Sequence, residues 1–96
     1  MPDYIVFMHD DAATDDLGDW GGYLQTLKQK GLFEGGSAIG GGVCMRRGAD
    51  APGITAHLAG YIRVTADTID EAKSLLAGSP HFEAGGTVEI RELPRT

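Results

Sequence analysis

The sequence is poor in cysteine, in positive charge and in long apolar runs. It contains a single cysteine, Cys44, so an intrachain disulfide is excluded and packing has to hold the fold. Eight Lys and Arg residues stand against 14 Asp and Glu, which gives a net charge of −6. The basic residues lie singly or in pairs. Nucleic-acid binding needs a basic stripe, so we expect no nucleic-acid partner.

Membrane association is not expected either. No apolar run reaches the roughly 20 residues that cross a bilayer. The first residues lack the basic start and the apolar core of a signal peptide. We therefore expect a cytoplasmic protein without a membrane partner. The 96 residues suffice for one hydrophobic core, so we predict a single domain over residues 1–96.

The run YIVFM, from Tyr4 to Met8, is rich in strand-forming residues and predicts the first strand. Side chains alternate along a strand, so Tyr4, Val6 and Met8 share one face. The opposite face is also apolar, because it carries Ile5 and Phe7. A strand that is apolar on both faces needs cover on both sides. Since the helices of the chain cover only one side, we predict a homodimer.

The first helix is indicated by Leu17, Trp20, Leu24 and Leu27, which recur at helical intervals and form one stripe. Gly31 is a suitable residue to end it.

A second helix follows the segment GYIRVTA. Thr68 and Glu71 have the spacing of a capping box, Gly78 is the predicted cap, and Pro80 prevents continuation. The predicted apolar face consists of Ile69, Ala72, Leu75 and Leu76.

The remaining segments predict strands. LFEGGSAIGGGVCMRRG indicates two short strands around glycines, the region from Ile54 to Thr65 is strand-like, and TVEIREL alternates. The order β-α-β-β-(β)-α-β predicts an α+β, ferredoxin-like antiparallel sheet with two helices on one face. Neither glycine-rich nucleotide-binding motif is present, so no cofactor is predicted.

The stretch GYIRVTADTIDEAKSLLAGSPHFEAGGTVEIREL resembles the YCII-related family. The resemblance consists of a Gly-Tyr strand, the acidic start D-T-I-D-E-A, an S-P-H turn and a V-E-I-R strand. It is close from Gly60 to Pro94 and looser over DYIVFMHDD and LKQKGLFEGGSAI. The resemblance implies a dimeric α+β barrel with a cleft near the interface. One branch resembles a chlorohydroxyquinol dehydrochlorinase, for which the family implies a His–Asp pair in acid–base chemistry.

Two features depart from the family pattern. A histidine commonly precedes the L-x-x-L-K segment of the first helix in YCII-like proteins, and Tyr23 stands at that place here. The DGPF motif is missing, because the corresponding loop reads APGITAHLAG. The chain is therefore interpreted as an abbreviated member.

His81 is the first candidate catalytic residue, because an imidazole can accept or donate a proton near pH 7. Asp10 is predicted to orient it, as a carboxylate that fixes a tautomer. The structural alternative for His81 is a hydrogen bond to the free carbonyls of the preceding helix. The alternative for Asp10 is a solvated turn.

Candidate substrate-binding residues are His9, Tyr23, Glu83 and Arg91. Surface ion pairs and packing are the structural alternatives. No histidine pair has metal-ligand spacing, so no metal site is predicted. Cys44 is predicted to be a buried, inert thiol.

These observations predict a YCII-like protein that binds a small organic molecule, with His-assisted lyase or dehalogenation-like chemistry as the possible reaction. The alternatives are a non-catalytic module that binds a ligand or a protein, and a relative whose active site has decayed.

Overall fold

The structure is a computed structural model, and it describes residues 2–12, 20–51, 53 and 55–94. In this part of the chain the elements are β1 (Asp3–His9), α1 (Trp20–Gln29), β2 (Phe33–Ala38), β3 (Met45–Arg46), β4 (Ala49–Asp50), β5 (Leu58–Thr65), α2 (Ile69–Ser74), α3 (Pro80–Glu83) and β6 (Val88–Leu93). None of the helices in these ranges is long and apolar enough to cross a membrane.

Four strands form one antiparallel sheet in the order β2-β5-β1-β6. Strand β1 is central and pairs with β5 and β6, so that Val6 lies opposite both Ile62 and Ile90. The remaining strands, β3 and β4, form a separate two-residue hairpin. The predicted α+β, ferredoxin-like fold is confirmed.

The core lies between one face of this sheet and the helices. Its buried residues alternate along β1 and β5 and continue onto α1 and α2: Tyr4, Val6, Met8, Leu27, Ile62, Val64, Ala66, Ala72 and Leu76. The other face of β1 carries Ile5 and Phe7, which are half-buried. The predicted two-sided apolar strand is therefore present, and the homodimer inferred from it stays a prediction.

Helix α2 begins as its sequence predicts. The Thr68 hydroxyl accepts a hydrogen bond from the Glu71 N–H at 3.2 Å, and the Glu71 carboxylate accepts one from the Asp67 N–H at 2.9 Å. Its end differs from the prediction: α2 ends at Ser74 with Leu75 as its C-cap, and Gly78, with φ of 86°, lies in the turn that follows. The prediction that Gly78 caps this helix is therefore wrong. Ile69 was predicted on the apolar face, but 48% of its surface is exposed. It is the first helical residue and lies outside the stripe that meets the sheet.

Pro80 has a second role that the sequence analysis did not predict. It occupies the first turn of α3, a short helix that begins directly after the α2 exit. Proline suits this position because the N–H that it lacks would have no helical partner there. His81 consequently belongs to a helix of its own, rather than to a turn.

Three further predictions need correction or cannot be followed. Cys44 is exposed, so its predicted burial is wrong; it lies beside the β3–β4 hairpin, in a segment exposed from Gly40 to Ala49. Strand β5 begins at Leu58 because residues 55–57 form a turn. Leu17 and Ile54 lie outside the described residues.

Candidate functional site

A cleft of about 410 Å³ lies between helix α1 and the sheet, beside strand β2. Trp20 and Leu24 of α1 form one wall, and Phe33 and Ile62 of the sheet form another. The lining is predominantly apolar. Among its described residues, His81 and Tyr61 carry the ionisable side chains. His81 therefore contributes the imidazole of this mainly apolar wall.

Residues on both sides of α3 fix the position of His81. Its side chain is buried, with 4% of the residue surface exposed. The ring packs directly on Gly86, where an added Cβ atom would lie 2.2 Å from Nε2. The Gly86 N–H also donates to the His81 carbonyl at 2.9 Å. A residue without a side chain is thus required at position 86 for the ring to lie where it does.

The imidazole makes one hydrogen bond with the described residues. Nε2 lies 3.2 Å from the backbone carbonyl oxygen of Thr87. The sequence analysis offered a hydrogen bond from His81 to the free carbonyls of α2 as the structural alternative. This alternative is wrong, because the carbonyl that His81 contacts belongs to Thr87, directly before β6. The Oδ1 atom of Asp11 lies 4.0 Å from the same nitrogen, which is an ion-pair distance but too long for a hydrogen bond.

The Asp11 carboxylate is held by Thr87. Its Oδ1 accepts from the Thr87 N–H at 2.7 Å, and its Oδ2 accepts from the Thr87 hydroxyl at 2.5 Å. These bonds, the hydroxyl first, lower the pKa of Asp11 below its usual value, and the charge of protonated His81 lowers it further. The carboxylate is therefore ionised at neutral pH beside the imidazole.

Asp10 does not occupy this place. Its residue is exposed, its N–H donates to the His57 carbonyl, and its carboxylate makes no hydrogen bond or ion pair with the described residues. The pairing of β1 with β5 is irregular between Met8 and His9, immediately before the two aspartates. Asp11, and not Asp10, reaches Thr87 directly before β6, and the sequence does not distinguish the two carboxylates.

His9 and Arg91 lie on the sheet face opposite the helices. The Nε2 atom of His9 is 3.1 Å from Oε1 of Glu89, and its ring stacks on His57 at a centroid distance of 4.6 Å. The guanidinium of Arg91 lies 3.7 Å from the other oxygen of Glu89. Neither predicted substrate-binding residue lines the cleft.

Tyr23 and Glu83 contact the protein rather than the cleft. The Tyr23 hydroxyl donates to the Leu75 carbonyl at 2.7 Å, which ties α1 to the end of α2, and burial raises the pKa of Tyr23 to about 12. The Glu83 carboxylate accepts from the Gly78 N–H at 2.9 Å. The substrate-binding roles of these residues stay predictions.

Three residues of the site were missed by the sequence analysis, namely Asp11, Gly86 and Thr87. Gly85, next to Gly86, is a turn residue in the left-handed conformation, with φ of 85°. The described residues contain no group of His, Cys, Asp and Glu side chains that could hold a metal ion.

No family model matches the sequence, and no curated protein matches it significantly. Among solved structures, the chain is similar to the 5-chloro-2-hydroxyhydroquinone dehydrochlorinase of Burkholderia phenoliruptrix AC1100, solved in complex with 2,5-dihydroxybenzoquinone. The identity is 15% and the TM-score is 0.60, over 98% of this chain and 95% of that chain. At 15% identity, the similarity between the two structures shows the fold of this chain and nothing about its function. It supports a YCII-like fold, while membership of the family stays a prediction.

Proposed function

We propose that this protein binds a small, planar organic molecule in the cleft and that His81 exchanges a proton with it. One observation supports the proposal above all: a buried imidazole lies in the wall of a predominantly apolar cleft. Pockets of about 300–1,000 Å³ with apolar walls and few polar groups are typical of small-molecule sites. The volume of about 410 Å³ lies in this range.

The composition of the lining favours an aromatic or quinonoid ring. Trp20, Phe33 and Tyr61 supply aromatic surface. Aromatic side chains pack well against planar rings in stacked or edge-on arrangements. The dihydroxybenzoquinone bound by the structural neighbour supports the same ligand class.

The proposed reaction class is elimination assisted by a base. A ring hydroxyl first gives its proton, through water, to the carbon that carries the chlorine, so that this carbon becomes tetrahedral. The imidazole of His81 then removes a second hydroxyl proton, the electrons of that O–H bond form a C=O bond, the adjacent ring double bond shifts toward the tetrahedral carbon, and chloride leaves with its bonding pair. The Asp11 carboxylate, 4.0 Å from Nε2, stabilises by its charge the imidazolium that forms. His81 then returns its proton to water.

A homodimer is part of the proposal. Ile5 and Phe7 lie on the sheet face that the helices leave uncovered, and they are only half-buried. A second copy placed on this face would cover them, because apolar surface is stabilised by removal from water. Sedimentation at micromolar concentration tests this, and a monomer there would refute it.

The test of the function uses 2,5-dihydroxybenzoquinone as the binding probe and chloride release from 5-chloro-2-hydroxyhydroquinone as the activity. We expect calorimetric binding to the wild type and to His81→Gln within about tenfold of each other. Turnover should fall about 100-fold or more in His81→Gln, which is the usual contribution of a general base. The matched control is His57→Gln, which alters an exposed histidine outside the cleft.

The same experiment separates the alternatives. Binding without turnover in the wild type would support the non-catalytic module, for which the 4.0 Å gap between His81 and Asp11 is the favouring observation. A protein that binds neither compound would contradict the proposed ligand class. Equal turnover in His81→Gln and the wild type would exclude His81 as the base.

A further inference from the structure

The two groups that face Nε2 of His81 are both acceptors. The Thr87 carbonyl oxygen lies 3.2 Å away, and the Asp11 Oδ1 atom lies 4.0 Å away. A carbonyl oxygen and an ionised carboxylate have no proton to donate. Nε2 must therefore carry the hydrogen of this bond. A neutral imidazole has one N–H and one lone pair, so the lone pair lies on Nδ1.

Nδ1 is the nitrogen without an internal partner. It makes no hydrogen bond with the described residues. Among those residues, however, no buried side-chain nitrogen or oxygen lacks a partner. Nδ1 consequently retains contact with solvent although the residue as a whole is buried, and His81 belongs to the cleft lining.

We infer that Thr87 holds His81 as the Nε2–H tautomer, so that Nδ1 is the nitrogen that takes up and returns the proton. This inference rests on the proposed function and specifies the reacting atom. Asp11 acts by its charge and not as a proton acceptor, because both of its oxygens are engaged by Thr87 and neither is within hydrogen-bond distance of Nε2.

Thr87 is the positioning residue because it contacts both partners. Its carbonyl receives the Nε2–H of His81, while its N–H and hydroxyl hold the Asp11 carboxylate. Thr87→Val removes the hydroxyl and keeps the carbonyl. Thr87→Ser keeps both. We expect turnover to fall about tenfold in Thr87→Val and to be restored in Thr87→Ser, while the tautomer of His81 stays the same in both variants.

The tautomer is measured directly by NMR of protein labelled with ¹⁵N in its histidine rings. The chain has three histidines, so the variants His9→Gln and His57→Gln suffice to assign the spectrum. In neutral His81 we expect Nε2 to carry the proton and Nδ1 to show the shift of a lone-pair nitrogen. Added hydroquinone should move the Nδ1 resonance more than the Nε2 resonance.

A variant tests the cause of the tautomer. Gly86→Ala places a Cβ atom where the ring lies and displaces Nε2 from the Thr87 carbonyl. Loss of one hydrogen bond should lower the ratio of the Nε2–H to the Nδ1–H form about fivefold. Gly41→Ala is the matched control, because nothing lies within 4 Å of a Cβ atom there. If Gly86→Ala fails to fold, the ¹⁵N spectrum of the wild type alone decides which tautomer His81 adopts.

The outcomes separate this inference from the proposed function. An Nδ1–H tautomer, or an averaged mixture in the wild type, overturns the inference even if ligands still bind in the cleft. An Nε2–H tautomer in a protein that binds no aromatic probe supports the tautomer assignment and overturns the proposed function.

Discussion

Replacement of Gly86 by alanine is the sharpest structural test of the site. The new Cβ atom would lie 2.2 Å from Nε2 of His81 and 2.5 Å from two ring carbons. Non-bonded atoms of this kind prefer about 3.5–4.0 Å, so the ring has to move by more than about 1 Å. The φ angle of Gly86 is outside the left-handed region, so alanine adds a steric conflict without backbone strain.

The expected cost follows from this displacement. Overpacking costs about 1–3 kcal/mol, and the lost bond to the Thr87 carbonyl adds about 1 kcal/mol. The free energy of unfolding should therefore fall by about 2–4 kcal/mol. Each kcal/mol lowers the melting temperature of a domain of this size by about 4–8 °C, so thermal unfolding detects the change easily.

A double-mutant cycle identifies the ring as the cause. In the background His81→Ala the imidazole is absent, and Gly86→Ala should then cost less than about 0.5 kcal/mol. The exposed control, Gly41→Ala, should have a similarly small effect. If Gly86→Ala destabilises the protein equally with and without the imidazole, the contact described here is not the reason for glycine at this position.

Three other predictions concern the contacts around the site. Tyr23→Phe should lower the free energy of unfolding by about 1 kcal/mol in urea titrations, because the Leu75 carbonyl loses its donor; no change would mean that water replaces the hydroxyl. Asp11 has a lower pKa in the folded than in the unfolded state, so its stabilisation is present above about pH 3.8 and is lost as the pH falls through the folded value. Asp11→Asn should therefore flatten the loss of stability between about pH 5 and pH 2, and an unchanged slope would contradict the hydrogen bonds between Asp11 and Thr87. Phe7→Glu should dissociate the proposed dimer in sedimentation while the circular dichroism of the monomer stays native; a persistent dimer would place the interface elsewhere.

Local patterns in the sequence predict most of the secondary structure and, through it, the fold. The alternation of Tyr4, Val6 and Met8 predicts the buried face of β1, and Thr68 with Glu71 predicts the start of α2. These signals are local, because each depends on side-chain periodicity or on backbone groups within one turn. The sheet order then follows from the ferredoxin-like arrangement of the elements.

The candidate site depends on contacts that no local pattern encodes. Asp10 and Asp11 are equivalent in the sequence, and only the pairing of β1 with β6 shows that the second carboxylate reaches Thr87. The role of Gly86 depends on a ring five residues earlier, which approaches it only because Pro80 begins a new helix. The histidine is recognisable from its residue type and its resemblance to a family, whereas its partners are not.

The bonds between Asp11 and Thr87 join residues 76 positions apart in the chain. Asp11 follows β1 and Thr87 precedes β6, so neither bond exists until these two strands have paired beside each other. Contacts between residues so distant in sequence carry a large loop-closure cost and form late in folding. During synthesis, a chain whose β6 is not yet free to pair already contains His81. It lacks the placed Thr87 carbonyl that accepts the hydrogen bond of the His81 ring. The candidate site is thus assembled only when the sheet closes.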